Sequence, residues 1–247
     1  GALVLYDGAY YEIGTEAFGS VAEAAATEAS NKILVIDGTY SGDQFFNGHE
    51  VEIGSADTAV SFENYVFGGA QNGNTGDISL KFVNGSAARV YGTALNQAGD
   101  YTTGNITLEI SEDVALTERI GAAKIEQGNL TTGDVVINFA GSALPIYGGA
   151  QVWYKGSSAT HDSVTINTSG TLSDVVYAAG QAMHGGQITI NNGVTTNVTG
   201  GSIGTDGLMG GGFTRSDANQ TDTAGSITIH GGTRINISGG EITNVYG

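Results

Sequence analysis

Gly104-Asn-Ile-Thr-Leu-Glu-Ile110 decides the fold, because the chain repeats its pattern again and again. The other copies are Gly76-Asp-Ile-Ser-Leu-Lys-Phe82, Gly133-Asp-Val-Val-Ile-Asn-Phe139, Asp162-Ser-Val-Thr-Ile-Asn-Thr168, Gly186-Gln-Ile-Thr-Ile-Asn-Asn192 and Gly225-Ser-Ile-Thr-Ile-His-Gly231. Each opens on a turn residue and continues with period 2: apolar, polar, apolar. In a strand, alternate side chains point to opposite faces, so the apolar pair points one way and the Ser or Thr the other. Such a strand cannot bury its inner face alone. Stacking one copy per coil gives parallel ladders around a continuous apolar column.

The expected inward columns are Ile78, Ile106, Val135, Val164, Ile188, Ile227 and Leu80, Leu108, Ile137, Ile166, Ile190, Ile229. The outward columns read Ser79, Thr107, Val136, Thr165, Thr189, Thr228 and Lys81, Glu109, Asn138, Asn167, Asn191, His230. Outward Thr columns bring ice binding to mind. Val136 breaks this one, and β-branched residues are favoured on exposed strands in any case.

A second marker alternates with the first: Val66-Phe67-Gly68, Val90-Tyr91-Gly92, Ile146-Tyr147-Gly148, Val176-Tyr177-Ala178, Leu208-Met209-Gly210 and Val245-Tyr246-Gly247, with Arg119-Ile120-Gly121 as a degenerate copy. Successive first markers start 24 to 39 residues apart (162 to 186 and 186 to 225 being the extremes). That is the range of a solenoid repeat.

Composition agrees. The chain has 41 glycines and one proline, Pro145, among 247 residues. Disordered linkers carry both residue types, whereas periodic glycine marks repeated tight turns. The formal charge of −17, with 8 Lys and Arg, makes nucleic acid and anionic membranes poor partners. With no cysteine there are no disulfides, thiolate metal sites or cysteine nucleophiles. No apolar run is long enough to span a bilayer as a helix. No signal peptide is recognisable at Gly1-Ala-Leu-Val4, and the chain stops within a repeat at Val245-Tyr-Gly247. It therefore reads as a piece of a longer protein whose signal and anchor lie elsewhere.

The N-terminal part differs. Residues 16–29 are rich in Ala and Glu, with Ser20 and Glu23 placed as a capping box. A short helix there is expected to cover the open end of the solenoid. Lys32-Ile-Leu-Val-Ile-Asp-Gly-Thr-Tyr40 follows as an apolar strand and a turn. The expected architecture is all-β, a right-handed parallel β-helix with a short N-terminal capping helix. It forms one domain over residues 1–247, with capping region and first coils in 1–62 and repeat coils in 63–247.

The stretch Ser20-Val-Ala-Glu-Ala-Ala-Ala through Lys32-Ile-Leu-Val-Ile-Asp-Gly-Thr-Tyr-Ser-Gly42 resembles the opening of pectin-lyase-like β-helices. The Gly-X-Ile-Thr-Ile copies and Gly231-Gly-Thr-Arg-Ile-Asn-Ile-Ser-Gly-Gly-Glu-Ile-Thr-Asn-Val-Tyr-Gly247 resemble repeats of autotransporter-type and other surface-displayed bacterial proteins. The resemblance spans essentially the whole chain. It implies an extracellular or cell-surface protein, often an adhesin or a self-associating stalk. Fold does not fix function, and no matched residue is catalytic.

That fold also hosts polysaccharide lyases and glycosidases, which need clustered carboxylates or a basic residue beside them. Asp77 and Asp134 flank Asn105 on adjacent copies, but Asp and Asn are also turn formers. No Arg or Lys is recognisably beside a carboxylate pair; Arg89 and Arg119 precede equivalent marker positions, where stacking on each other and a ladder against Glu118 or Asp113 are equally good readings. His49, His161, His184 and His230 lack metal-ligand spacing, and His161 and His184 read as surface turn residues. Serine nucleophile elbows, P-loops and calcium nonapeptides are absent. The expectation is a non-enzyme without cofactor or metal.

Loops pushed out of a solenoid often bind. Two read as insertions: residues 151–161, with Trp153, Tyr154 and Lys155, and residues 213–223, with Arg215. An exposed Trp153–Tyr154 pair would meet a sugar face or a protein, and Tyr101, in the 96–103 loop, is a further candidate. The expected function is adhesion to a host glycan or surface protein, or self-association. The alternatives are a structural stalk and a polysaccharide lyase or glycoside hydrolase.

Overall fold

The computed structural model describes residues 2–12, 17–26, 32–216 and 223–247. It is an all-β solenoid of about seven turns. Among the described residues all strand pairs are parallel except those of an N-terminal hairpin, where Leu3–Tyr6 pairs antiparallel with Ala9–Glu12, and Ala9–Glu12 with Ala17–Phe18.

Each full coil has five short strand segments, here faces A to E. One coil shows them all: Val135–Phe139 on face A, Ser142–Ala143 on B, Ile146–Tyr147 on C, Gln151–Val152 on D and Ser158–His161 on E. The next coil stacks in register, Val164–Thr168, Thr171–Leu172, Val175–Tyr177, Gln181–Met183 and Gln187–Ile190. In the two preceding coils the segments join into extended runs, Ile78–Thr103 and Ile106–Thr132, with register shifts between faces.

The expected columns hold up to Val164 and Ile166 and then need correction. Val164 pairs with Val194, and Ile166 with Thr196. Ile188 and Ile190 lie on face E, above Ala159 and His161 and below Ile227 and Ile229. The reason is geometric: faces A and E both carry an inward–outward–inward strand after a glycine corner, so the same short pattern serves two faces. On face A the outward column following Lys81 and Glu109 is Asn138, Asn167, Asn197 and Asn236. These amides form a one-directional ladder, each Nδ2 donating to the Oδ1 one coil below at 2.8, 2.7 and 2.7 Å. On face E the outward column is Thr102, Thr131, Thr160, Thr189 and Thr228.

The second marker is face C. Ile120, Ile146, Val176 and Leu208 stack inward. The next position on this face is aromatic in most coils and builds a stripe that packs apart from the main core, with Phe45 stacked on Phe67 at 4.4 Å and Tyr147 on Tyr177 at 5.5 Å, and Met209 above Tyr177. Gly121 interrupts the stripe. A Cβ there would stand 3.1 Å from the Tyr91 ring. Its absence lets Tyr91 lean across and donate to Gln151, while Gln151 donates onward to Gln181 at 2.8 Å.

His161 is not a surface turn residue. It faces inward on face E with no exposure. Nε2 accepts from the Ala150 N–H at 3.1 Å, so the proton sits on Nδ1, which donates to Thr132 Oγ1 at 2.7 Å. Thr132 in turn donates to the Gly133 carbonyl at 2.9 Å. Every polar atom of the ring is thereby matched in the neutral form. Burial pushes the imidazole down to about 4.

At the N-terminus the helix is shorter than its composition suggests, Val21–Ala25. Ser20 Oγ accepts from Glu23 N at 3.1 Å, and Glu23 reaches back to Gly19 N at 2.8 Å. Residues 13–16 and 27–31 lie outside the described residues. Edge pairing of the first face-A strand falls to Ala9–Glu12 rather than to the helix, which adds Val21 and Ala24 to the core.

Candidate functional site

The turns between faces D and E form one corner of the solenoid, and four of the five candidate binding residues lie on it. Residues 126–128 make the turn in one coil, 153–157 in the next and 183–186 in the third, as fixed by the strand pairs on either side. The segment 151–161 is therefore not an insertion, which corrects the expectation. Its ends are ordinary coil strands, and only the turn Trp153-Tyr-Lys-Gly-Ser157 projects.

The Ser157 N–H closes that turn onto the Tyr154 carbonyl at 3.1 Å, with Gly156 at φ +82°. A positive φ at the third position is the requirement of a type II turn, and glycine meets it without strain. The turn on the next coil closes from Gly186 N to Met183 O at 2.8 Å, with positive φ at both His184 (+49°) and Gly185 (+82°). That is the type I′ pattern, which His184 adopts against the usual steric preference.

The two turns interlock. The Tyr154 ring lies over the His184 ring, centroids 6.3 Å apart and planes at 22°. The stem of Lys155 runs over Gly185, where a Cβ would stand 3.2 Å from Lys155 Cβ. Tyr154 keeps half of its surface open, 49 %, whereas His184 is buried beneath it. Trp153 is partly buried, so the pair is one open ring and one half-sheltered ring rather than two exposed ones. Neither the Trp153 indole N–H nor His184 Nδ1 finds a hydrogen-bond partner, although both atoms are buried. Such atoms are uncommon, and strain with unmet polar atoms clusters at functional positions.

Arg215 sits one coil above, paired with Met183, and its carbonyl accepts from His184 N at 3.0 Å. It is exposed. Residues 217–222 of the second expected loop, with their acidic pair, lie outside the described residues. Tyr101 does not join this site. It is paired with Leu130 in the inward column of face E and packs on the main core, its ring against Gly99 and Gly128. The 96–103 segment looked like a loop because Asn96, Gly99 and Asp100 are turn formers; it lies within the strand run Ile78–Thr103, with a register shift between Asn96 and Asp100.

The ladder of Arg89 and Arg119 against Glu118 that the sequence offered is present in the structure. Between faces B and C, Glu118 pairs with Arg89 and lies 3.7 Å from Arg119. Arg89 also covers the Tyr65 ring, 4.4 Å from its centroid. Burial, and next the Asp206 carboxylate, push Asp174 above the ordinary carboxylate range, while Arg119 pulls it back. Coil stacking assembles this cluster from residues far apart in sequence, so no local motif announces it. The Asp77–Asn105–Asp134 stripe, by contrast, is turn capping: Asp77 accepts from Asn105 N at 2.8 Å and Asn105 from Asp134 N at 2.9 Å.

An open groove of about 440 Å³ runs along the corner between faces A and B, lined in part by Glu109, Asn138, Asn167, Ser169 and Thr199. Asn167, inside the ladder, spends one N–H and one lone pair on its neighbours, and Asn138, at its lower end, spends one lone pair, so amide donors and acceptors remain for a ligand. Among the described residues no group of three or more His, Cys, Asp or Glu is arranged to hold a metal. Comparison of the chain with protein-family models, curated proteins and solved structures finds no match.

Proposed function

We propose that this β-helix is a non-catalytic binding segment of a secreted or surface-displayed bacterial protein, acting in adhesion. The Tyr154-over-His184 corner is its contact point for a host glycan or surface protein. The observation that carries the reading is that corner: a half-open aromatic ring held by a strained, interlocked pair of turns, with Lys155 and Arg215 beside it. Aromatic rings and arginine dominate contact energy where they are held rigid. The groove between faces A and B, lined by amides and hydroxyls, suits the hydroxyl groups of a neutral glycan as a second contact. The sequence resemblance to surface-displayed repeats supports an extracellular location.

A glycan array and a cell-binding assay test this with Tyr154→Ala and Lys155→Ala beside the parent chain. Binding that falls about tenfold in Tyr154→Ala, a loss of about 1.4 kcal/mol, fits a hot-spot ring. Binding indifferent to both substitutions removes the corner from the account.

A second reading has its own observation. Asp174 and Asp206 occupy adjacent coils near Arg119, burial and the neighbouring Asp206 raise the Asp174 carboxyl above its ordinary range, and a pair of carboxyl groups is what glycosidases use. Incubation with polysaccharides decides it: turnover abolished by Asp174→Asn makes the chain an enzyme of that class.

A further inference from the structure

The outward side of face A changes character along the axis. In the column that holds the Asn ladder, the lower positions are Val4, Leu34 and Glu52, followed by Lys81. Leu3-Val-Leu-Tyr6 and Ile33-Leu-Val-Ile36 are thus apolar on both sides of the sheet. Continuous apolar runs are the signature of strands covered on both faces. Elsewhere in the solenoid the outward positions of face A are mostly hydroxyls, amides and charges. Tyr11, opposite Val4 in the hairpin, adds a ring to the same side.

Val4, Tyr6, Tyr11 and Ile36 line an open groove of about 390 Å³. Tyr6 and Ile36 are 49 % and 45 % exposed, and the Tyr6 and Tyr11 rings stand 6.5 Å apart at 56°. Among the described residues nothing covers these two side chains. The groove faces sideways, not along the axis, so stacking of coils does not explain it. Its edge is acidic: Asp7 and Asp37 adjoin, with Asp7 N donating to Asp37 Oδ1 at 3.5 Å. Lys32, at the start of the Ile33–Ile36 run, is engaged by Glu50 and Glu52 at 3.5 and 3.7 Å.

We propose that this groove docks a short cationic, amphipathic polypeptide segment of a partner protein. An apolar side chain would enter between Tyr6, Tyr11 and Ile36, and Lys or Arg residues would meet Asp7 and Asp37. An arginine there also gains from stacking on a tyrosine face. Charge selects this occupant. A second copy would bring the same carboxylates, and another −17 charges, against the groove. An anionic membrane is repelled for the same reason. Few side chains line the groove, so the contact is of the small, transient class.

The test uses the whole chain and a fluorescein-labelled amphipathic leucine–lysine peptide, with a scrambled peptide of equal composition as control. Fluorescence anisotropy is read for the parent, for Tyr6→Ser with Ile36→Ser, and for Asp7→Asn with Asp37→Asn. Circular dichroism verifies that each variant is folded. Expected are saturable binding by the parent, about tenfold weaker binding by the scrambled peptide, and about tenfold loss in the Tyr6/Ile36 variant. The Asp7/Asp37 variant should lose several-fold and show a shallower salt dependence. Equal binding of the two peptides, or binding indifferent to Tyr6 and Ile36, overturns the proposal in favour of diffuse attraction to an acidic surface. Sedimentation of the parent as a dimer that the Tyr6/Ile36 variant abolishes overturns it in favour of a second copy.

Discussion

Lowering the pH should loosen this solenoid through His161, before most carboxylates titrate. The folded ring takes a proton only near pH 4, against 6.5 in the unfolded chain. Between those values the unfolded state binds more protons, so stability is complete above about 6.5 and drains away as the pH falls to about 4. At 1.36 kcal/mol per pH unit over a gap of about 2.5 units, the contribution is on the order of 3 kcal/mol. The geometry explains the sign. A second proton on Nε2 has no acceptor, breaks the bond from Ala150 N and buries a charge. The assay is urea unfolding of the parent and of His161→Gln from pH 7.5 to 4. The variant loses the fitted hydrogen bonds, so it should be less stable at pH 7.5, by about 1–3 kcal/mol. It cannot titrate, so the gap should close, and could reverse, as the pH falls. Carboxylates titrate in both proteins and cancel in the difference. A gap constant across the range would refute the reasoning.

Three substitutions probe the ladders. Thr196 lies inward between Ile166 and Ile235 with no exposure, and its hydroxyl has no partner; Thr196→Val should raise stability by about 1 kcal/mol in urea unfolding. Asn167→Ala removes the middle of the amide ladder and leaves Asn138 and Asn197 each short of a bond, which should cost about 1–2 kcal/mol in the same measurement. Gly148→Ala would place a Cβ 2.0 Å from the Ala178 carbonyl oxygen on the next coil, and should lower stability by about 2–3 kcal/mol by forcing the coils apart.

The coil was legible because its strands repeat a period-2 pattern with glycine corners, and the Val-Tyr-Gly marker falls on one face throughout. Which copy belongs to which face was not. Ala159-Thr-His161 conceals a face-E strand, because its second inward residue is a buried histidine. Val194-Thr-Thr-Asn197 conceals a face-A strand, because its second inward residue is a threonine. Gly186-Gln-Ile-Thr-Ile190 then looks like the missing face-A copy. Periodicity sees only apolar and polar, and both exceptions depend on what the next coil supplies: hydrogen bonds for His161 and flanking isoleucines for Thr196. At the candidate site, Trp153, Tyr154, Lys155 and Arg215 stood out by residue type. His184 did not, because its strain and its stacking under Tyr154 come from the fold of the corner. The Arg119–Asp174–Asp206 cluster was hidden for the same reason: coil stacking joins residues some 30 positions apart.

The adhesion account rests on Tyr154, so the most direct measurement is cell binding by the parent chain and by Tyr154→Ala. Thermal unfolding of both should come first, because a half-exposed turn residue should change stability by less than about 1 kcal/mol. The account predicts equal folding and about tenfold weaker cell binding for the variant. Equal folding with undiminished cell binding would contradict it and leave the corner as a structural turn.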